Sequence, residues 1–96
     1  MLNVRFIRYV FKGGLLERTD YIVWDPDKRK EEVHSAWPPK YEIGPYCMKQ
    51  IRGYEYSSDL AKQLDSEYTY KLREVVAREE RMLERCPDIV VTVAVH

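Results

Sequence analysis

Val4-Arg5-Phe6-Ile7-Arg8-Tyr9-Val10-Phe11, running into Lys12-Gly13-Gly14, is the stretch on which the fold turns. It is dense in β-branched and aromatic residues, which suit a pleated, half-buried surface, and so it predicts a strand. Its alternation is imperfect. Val4, Phe6 and Val10 share one face with Arg8, while Ile7, Tyr9 and Phe11 share the other with Arg5. Gly13-Gly14 supplies the positive φ angles of a tight hairpin turn. Leu15 to Trp24 then reads as the returning strand, most clearly at Tyr21-Ile22-Val23-Trp24. Residues 1–24 are therefore expected to form a β-hairpin.

Working outward, Asp25-Pro26-Asp27 stops that strand, because Pro cannot donate to a ladder and Asp bonds its own backbone in turns. Lys28 to Glu32 is polar, and Trp37-Pro38-Pro39 is stiff and extended. Residues 25–40 are read as a polar, Pro-rich loop of a length often associated with function or mobility. Residues 41–56 allow two readings around Tyr46-Cys47-Met48-Lys49-Gln50-Ile51-Arg52. One is a third strand, favoured by the flanking aromatics, and the other a short helix with Pro45 at its first position. Gly53 ends either.

Ser57 or Ser58 offers an N-cap, and Asp59 complements the positive end of a helix dipole. Leu60, Leu64, Tyr68, Leu72, Val75, Val76, Met82 and Leu83 follow at steps of three and four, the stripe of an amphipathic helix over 58–85. Pro87 closes it. A helix of that length would reach ~40 Å, long for this chain, so a break is expected near Asp65-Ser66. Residues 88–96 hold the strongest strand signal, Ile89-Val90-Val91-Thr92-Val93-Ala94-Val95. Such a continuous apolar run fits a central strand covered on both faces. The alternative is an outer strand that pairs with a second molecule, making a homodimer. The elements give β-β-(β)-α-β, an α+β protein with a small, mainly antiparallel sheet and one long helix, possible break included, on one face.

Composition narrows the function classes. Ninety-six residues fit a single domain. A hydrophobic fraction of 45% gives an ordinary core, and a charged fraction of 33% gives a heavily charged surface. Sixteen basic and sixteen acidic residues cancel, so no overall field steers the chain onto nucleic acid or anionic lipid. No run approaches the ~20 apolar residues of a membrane span, and the start lacks the pattern of a signal peptide. A cytoplasmic protein without a membrane partner is expected. Cys47 and Cys86 are too few and too far apart for a disulfide scaffold or a metal cluster, and are read as free, partly buried thiols. A single disulfide between them is the alternative.

Asp20, Asp25, Asp27, Glu31, Glu32 and His34 lie close in sequence and raise the reading of a small metal-dependent hydrolase or nuclease. Such a site needs carboxylates converging from rigid elements. Here they are interleaved with Lys28, Arg29 and Lys30 on an expected loop, so a solvated turn is preferred. No spacing sets Cys47 or Cys86 beside His34 or His96 as a nucleophile and base. Gly13-Gly14 lacks the Gly-Lys-Ser/Thr of a phosphate loop. Neither catalytic residues, cofactor nor metal are expected, which favours a non-enzymatic role.

For nucleic acid, Arg5, Arg8 and Lys12 could act with Lys28, Arg29 and Lys30 while Tyr9, Tyr21 or Trp24 stack on bases. This alternative lacks a supporting net charge. The tyrosines are the more unusual feature: eight in all, six of them between Tyr41 and Tyr70, namely Tyr41, Tyr46, Tyr54, Tyr56, Tyr68 and Tyr70. Tyr gives large contact area at low entropic cost and keeps a polar tip. Tyr68 fits the helix stripe and the core. Tyr54, Tyr56 and Tyr70, with Trp37 in the 25–40 segment, are the expected protein-binding anchors, set against a role in merely capping the core edge. The resulting expectation is a protein-binding inhibitor, adaptor or accessory protein. By analogy of size and composition alone, a phage or mobile-element protein blocking a host complex fits this profile.

Overall fold

In the computed structural model, which describes residues 3–95, the opening stretch is strand β1 (Asn3–Lys12) and the returning one is β2 (Leu15–Asp25). They pair antiparallel around Gly13 and Gly14, at φ 61° and 79°. Both values lie where a Cβ would be strained, as a two-residue turn of matching twist requires. The flawed alternation of β1 has a concrete cause. Val4 pairs with Val23 and Phe6 with Ile22, so Arg5 is an extra residue, a β-bulge. The bulge shifts the phase, and Val4, Ile7, Tyr9 and Phe11 all turn inward. Phe6, Arg8 and Val10 face the other way.

The expected loop over 25–40 is overturned. Lys30–Trp37 is strand β3, paired with β2 from Asp25–Lys30 to Thr19–Ala36. Only a tight turn separates β2 from β3. Asp25 Oδ1 accepts from the backbone N–H of Asp27 (3.0 Å) and Lys28 (3.3 Å), and Arg29 takes φ 52°. Pairing with the long β2 holds a segment whose own polarity argues against a strand.

Residues 41–56 are neither one strand nor a helix. β4 (Lys40–Ile43) and β5 (Met48–Arg52) form a separate two-stranded sheet, closed where Gly44 N–H donates to Cys47 O at 2.9 Å. Its apolar residues stay in solvent: Ile43 is 83% exposed. The two-residue β6 (Glu55–Tyr56) then joins the main sheet beside β3.

Ser58 caps α1 (Asp59–Glu67), its Oγ accepting from Ala61 N–H at 3.1 Å. The helical segment does divide, at Tyr68 (φ −106°, ψ 16°) rather than Asp65-Ser66, and α2 (Thr69–Arg85) follows. Leu60, Leu64, Tyr68, Leu72, Val75 and Leu83 pack on the core, whereas Val76 and Met82 stay exposed. Among the described residues no helix is long and apolar enough to cross a membrane.

The main sheet has the order β6-β3-β2-β1-β7. β7 (Ile89–Ala94) pairs with β1 alone and lies at the edge, so the central, doubly covered strand is not found. Ile89, Val91 and Val93 pack toward the core, while Val90 is 54% exposed. One face of the sheet is thus covered by the helices and the other is open. The buried core of Val4, Ile7, Tyr9, Phe11, Tyr21, Val23, Ala36, Leu64 and Val75 fills the covered side, where each large aliphatic side chain contributes roughly 1.5–3 kcal/mol.

Candidate functional site

Between the covered face of the sheet and the junction of the two helices lies a cavity of about 90 Å³. β1 contributes Tyr9, β2 contributes Thr19 and Tyr21, α1 contributes Asp65, and the helix junction contributes Tyr68. Strand pairing puts Tyr9 opposite Thr19, and Tyr21 one place further along the same face. Pro38 and the exposed Tyr54 and Thr69 also line the cavity and mark its mouth.

Asp65 organises the polar part. Tyr21 Oη donates to its Oδ1 at 3.0 Å, and Tyr56 Oη donates to its Oδ2 at 3.3 Å. Among the described residues no Lys, Arg or His lies within ion-pairing distance of this carboxylate. Tyr9 Oη is buried and has no hydrogen-bond partner, an unusual state for a buried polar group. Burial first, and then the charge of Asp65, push the Tyr9 phenol up to about 12. The same causes raise Tyr21 further and Tyr56 less. Burial followed by Glu67 raises Tyr68. The phenols are therefore neutral at ordinary pH.

A tyrosine rim continues outward. Tyr54 stacks on Tyr56 with ring centroids 6.0 Å apart and planes 4° from parallel. Tyr68 lies 6.4 Å from Tyr21 and 6.2 Å from Tyr70. Tyr54 and Tyr70 are 60% and 53% exposed, so the large rings at the surface sit on a buried layer of the same residue type. Of the anchors expected from sequence, Tyr54, Tyr56 and Tyr70 thus belong to one tyrosine cluster. Trp37 does not join them. Ala36 is in the core, so Trp37 next to it points to the open face.

The basic candidates are dispersed. Arg5 lies 4.5 Å over the Trp24 ring and 3.5 Å from Glu31, and Lys28 pairs with Glu32 at 3.2 Å. Arg8 bonds Asp20 at 2.9 Å. Lys12 is at the Gly13-Gly14 end of β1, whereas Lys28, Arg29 and Lys30 flank the turn at the opposite end of the sheet. Tyr9 and Tyr21, offered above as base-stacking rings, are buried beneath the helices and cannot present a face to nucleotides.

The acidic cluster also comes apart. Asp20 is buried on the open face, Asp25 closes the β2–β3 turn, and Glu31 meets Arg5. Among the described residues no three His, Cys, Asp or Glu side chains gather as a metal ion requires. His34 sits in a short chain: Nδ1 is 2.7 Å from Ser58 Oγ, and Nε2 is 3.3 Å from Glu32 Oε2. Ser58 Oγ also accepts from Ala61 N–H as the α1 cap. Cys47 and Cys86 are free and exposed rather than partly buried; His96, the other histidine, lies outside the described residues.

Sequence reasoning missed Asp65, Tyr9 and Tyr21 as parts of one site. Asp65 drew notice only as a place for a helix break. Its position one turn before Tyr68, on the inward side, was the available signal. No family model matches the chain, and neither a curated protein nor a solved structure is similar to it.

Proposed function

We propose that this chain is a non-enzymatic binding module, a small inhibitor, adaptor or accessory protein, which recognises a protein partner through Tyr54, Tyr56 and Tyr70. The observation that carries the reading is the exposure of Tyr54 and Tyr70 at the edge of a buried tyrosine layer. Rings already held by neighbouring rings lose little freedom on binding, so their contact area is converted into affinity with a small entropic loss. Trp37 belongs to a different face and is not part of this surface.

The test is affinity capture from the source cell with the wild-type chain and a Tyr54→Ala/Tyr70→Ala variant side by side. A partner held by the wild type and weakened at least about tenfold by the double substitution is expected of anchor residues. Equal capture by both would remove the tyrosine rim from the interface. Alanine at Asp25, Asp27 and His34 leaves binding unchanged; a catalytic activity lost on those substitutions would favour an enzyme instead.

A second reading is favoured by β7. Its outer edge has no strand partner among the described residues, its exposed face carries Val90, Thr92 and Ala94, and it bears no charge from Ile89 to Val95. Natural edge strands are usually blunted by charge or proline. Pairing of β7 with its copy across a two-fold axis would continue the sheet through a homodimer. Light scattering across micromolar concentrations that returns only monomer would dismiss it.

A further inference from the structure

The cavity at Asp65 has a chemical character of its own. Four tyrosines line it together with aliphatic side chains, Asp65 is the one charged group among its described lining residues, and that carboxylate is met by neutral phenols instead of a cation. A carboxylate with spare lone pairs and a partly aromatic lining are what a protonated amine needs. The N–H groups donate to oxygen, and the positive charge is attracted by the electron-rich rings. An anion would meet the charge of Asp65 with no compensating donor cation.

Size narrows the ligand. The cavity holds about 90 Å³, well below the ~150 Å³ that accommodates a benzene ring. A nucleobase or sugar does not fit, whereas an ammonium head with its first methylene groups does. Entry between Tyr54 and Thr69 leaves the remainder of an alkyl chain outside, beside the exposed rim.

We propose that this cavity is a binding site for the ammonium head of a primary alkylamine. The head donates to Asp65, and the alkyl stem leaves past Tyr54. The same head is found on a free alkylamine and on the lysine side chain of a partner protein. The inference rests on the binding-module reading for its rim, but not on the partner being a protein.

The experiment is titration of the full chain with n-butylamine, with n-butanol as the neutral counterpart, and with a short peptide carrying one lysine. Tyrosine ring shifts by NMR report the site. Expected is saturable movement of Tyr9, Tyr21 and Tyr68 signals with the amine and none with the alcohol. A tighter response to the peptide assigns the head to a partner's lysine, and one confined to the free amine assigns it to a small molecule. Asp65→Asn should weaken the amine at least about tenfold, the scale of one charge-assisted contact. Ring signals that stay fixed in all titrations to millimolar amine, or that move alike for amine and alcohol, overturn the proposal. If amine binds but the tyrosine variants capture protein as the wild type does, the protein-partner reading fails while the amine site stands.

Discussion

Two carboxylates lie on opposite sides of the main sheet, Asp20 on β2 and Asp65 on α1, and they are treated in opposite ways. On the open face Asp20, 1% exposed, accepts from Arg8 Nε at 2.9 Å and from the Ser35 hydroxyl at 2.7 Å, and Arg18 Nε lies 2.9 Å away as an ion pair without hydrogen-bond geometry. The guanidiniums lie over it and its charge is more than balanced. On the covered face Asp65 receives two phenols and no cation. The first arrangement is closed: three strands supply the partners, through the register that aligns Arg8, Asp20 and Ser35. The second leaves charge, lone pairs and space unspent. Burial of an acid is therefore a poor guide to function by itself; what matters is whether its surroundings complete it.

The largest test of this contrast is Asp20→Ala. It strands two guanidiniums and a hydroxyl, and should lower unfolding free energy in urea by about 2–3 kcal/mol, less than a fully buried pair would lose because both arginines still reach water. A loss near zero would mean that the arginines hydrate freely and that Asp20 is not a structural lock.

Alkaline pH tests the other face. A phenol whose folded pKa is raised holds its proton more tightly in the native state. Its stabilisation is complete below the ordinary value of 10.0 and declines as pH rises toward about 12, the Tyr9 value. The urea midpoint should therefore fall across that interval, and phenolate absorbance should appear for the buried rings only on unfolding. Phenolate formation near 10 for every tyrosine, with an unchanged midpoint, would show that the cluster is open to water.

Two single substitutions sharpen the comparison further. Tyr21→Phe takes one donor from Asp65 and should cost about 1.5–2 kcal/mol, the low end of the range for a hydrogen bond to a charged acceptor. Tyr9→Phe removes a hydroxyl that bonds to nothing, so thermal unfolding should shift by less than about 2 °C or rise slightly. A destabilisation by Tyr9→Phe as large as that by Tyr21→Phe would mean that Tyr9 Oη has a partner in solution, such as an ordered water.

Legibility in the sequence followed how local each cause was. Gly13-Gly14, the Ser58 cap and the Leu60–Leu72 stripe act over a few residues, and the hairpin, helix start and helix face are found where those signals put them. Strand β3 was hidden because Lys30, Glu31 and Glu32 look like a solvated turn until β2 is set beside them. β7 reads as a centre strand from its apolar run, although only one of its faces is packed and Val90 is left in solvent. The exposed tyrosines were singled out from composition and spacing. Their grouping around Asp65 was not, since it joins β1, β2, β6 and the helices over sequence separations that no periodicity encodes.

The placement of β7 beside β1 carries a consequence for how the chain is made. The two strands are roughly eighty residues apart along the chain, a separation that slows folding because the loop between them must close first. During synthesis, β1 can pair with β2 within a few residues, yet its far side must wait for nearly everything downstream to emerge. In that interval the backbone of Phe6 to Phe11 is an unguarded template for any extended chain nearby. The nascent protein should thus depend on chaperone cover more than its modest size suggests, with the danger ending once Ile89–Ala94 arrives.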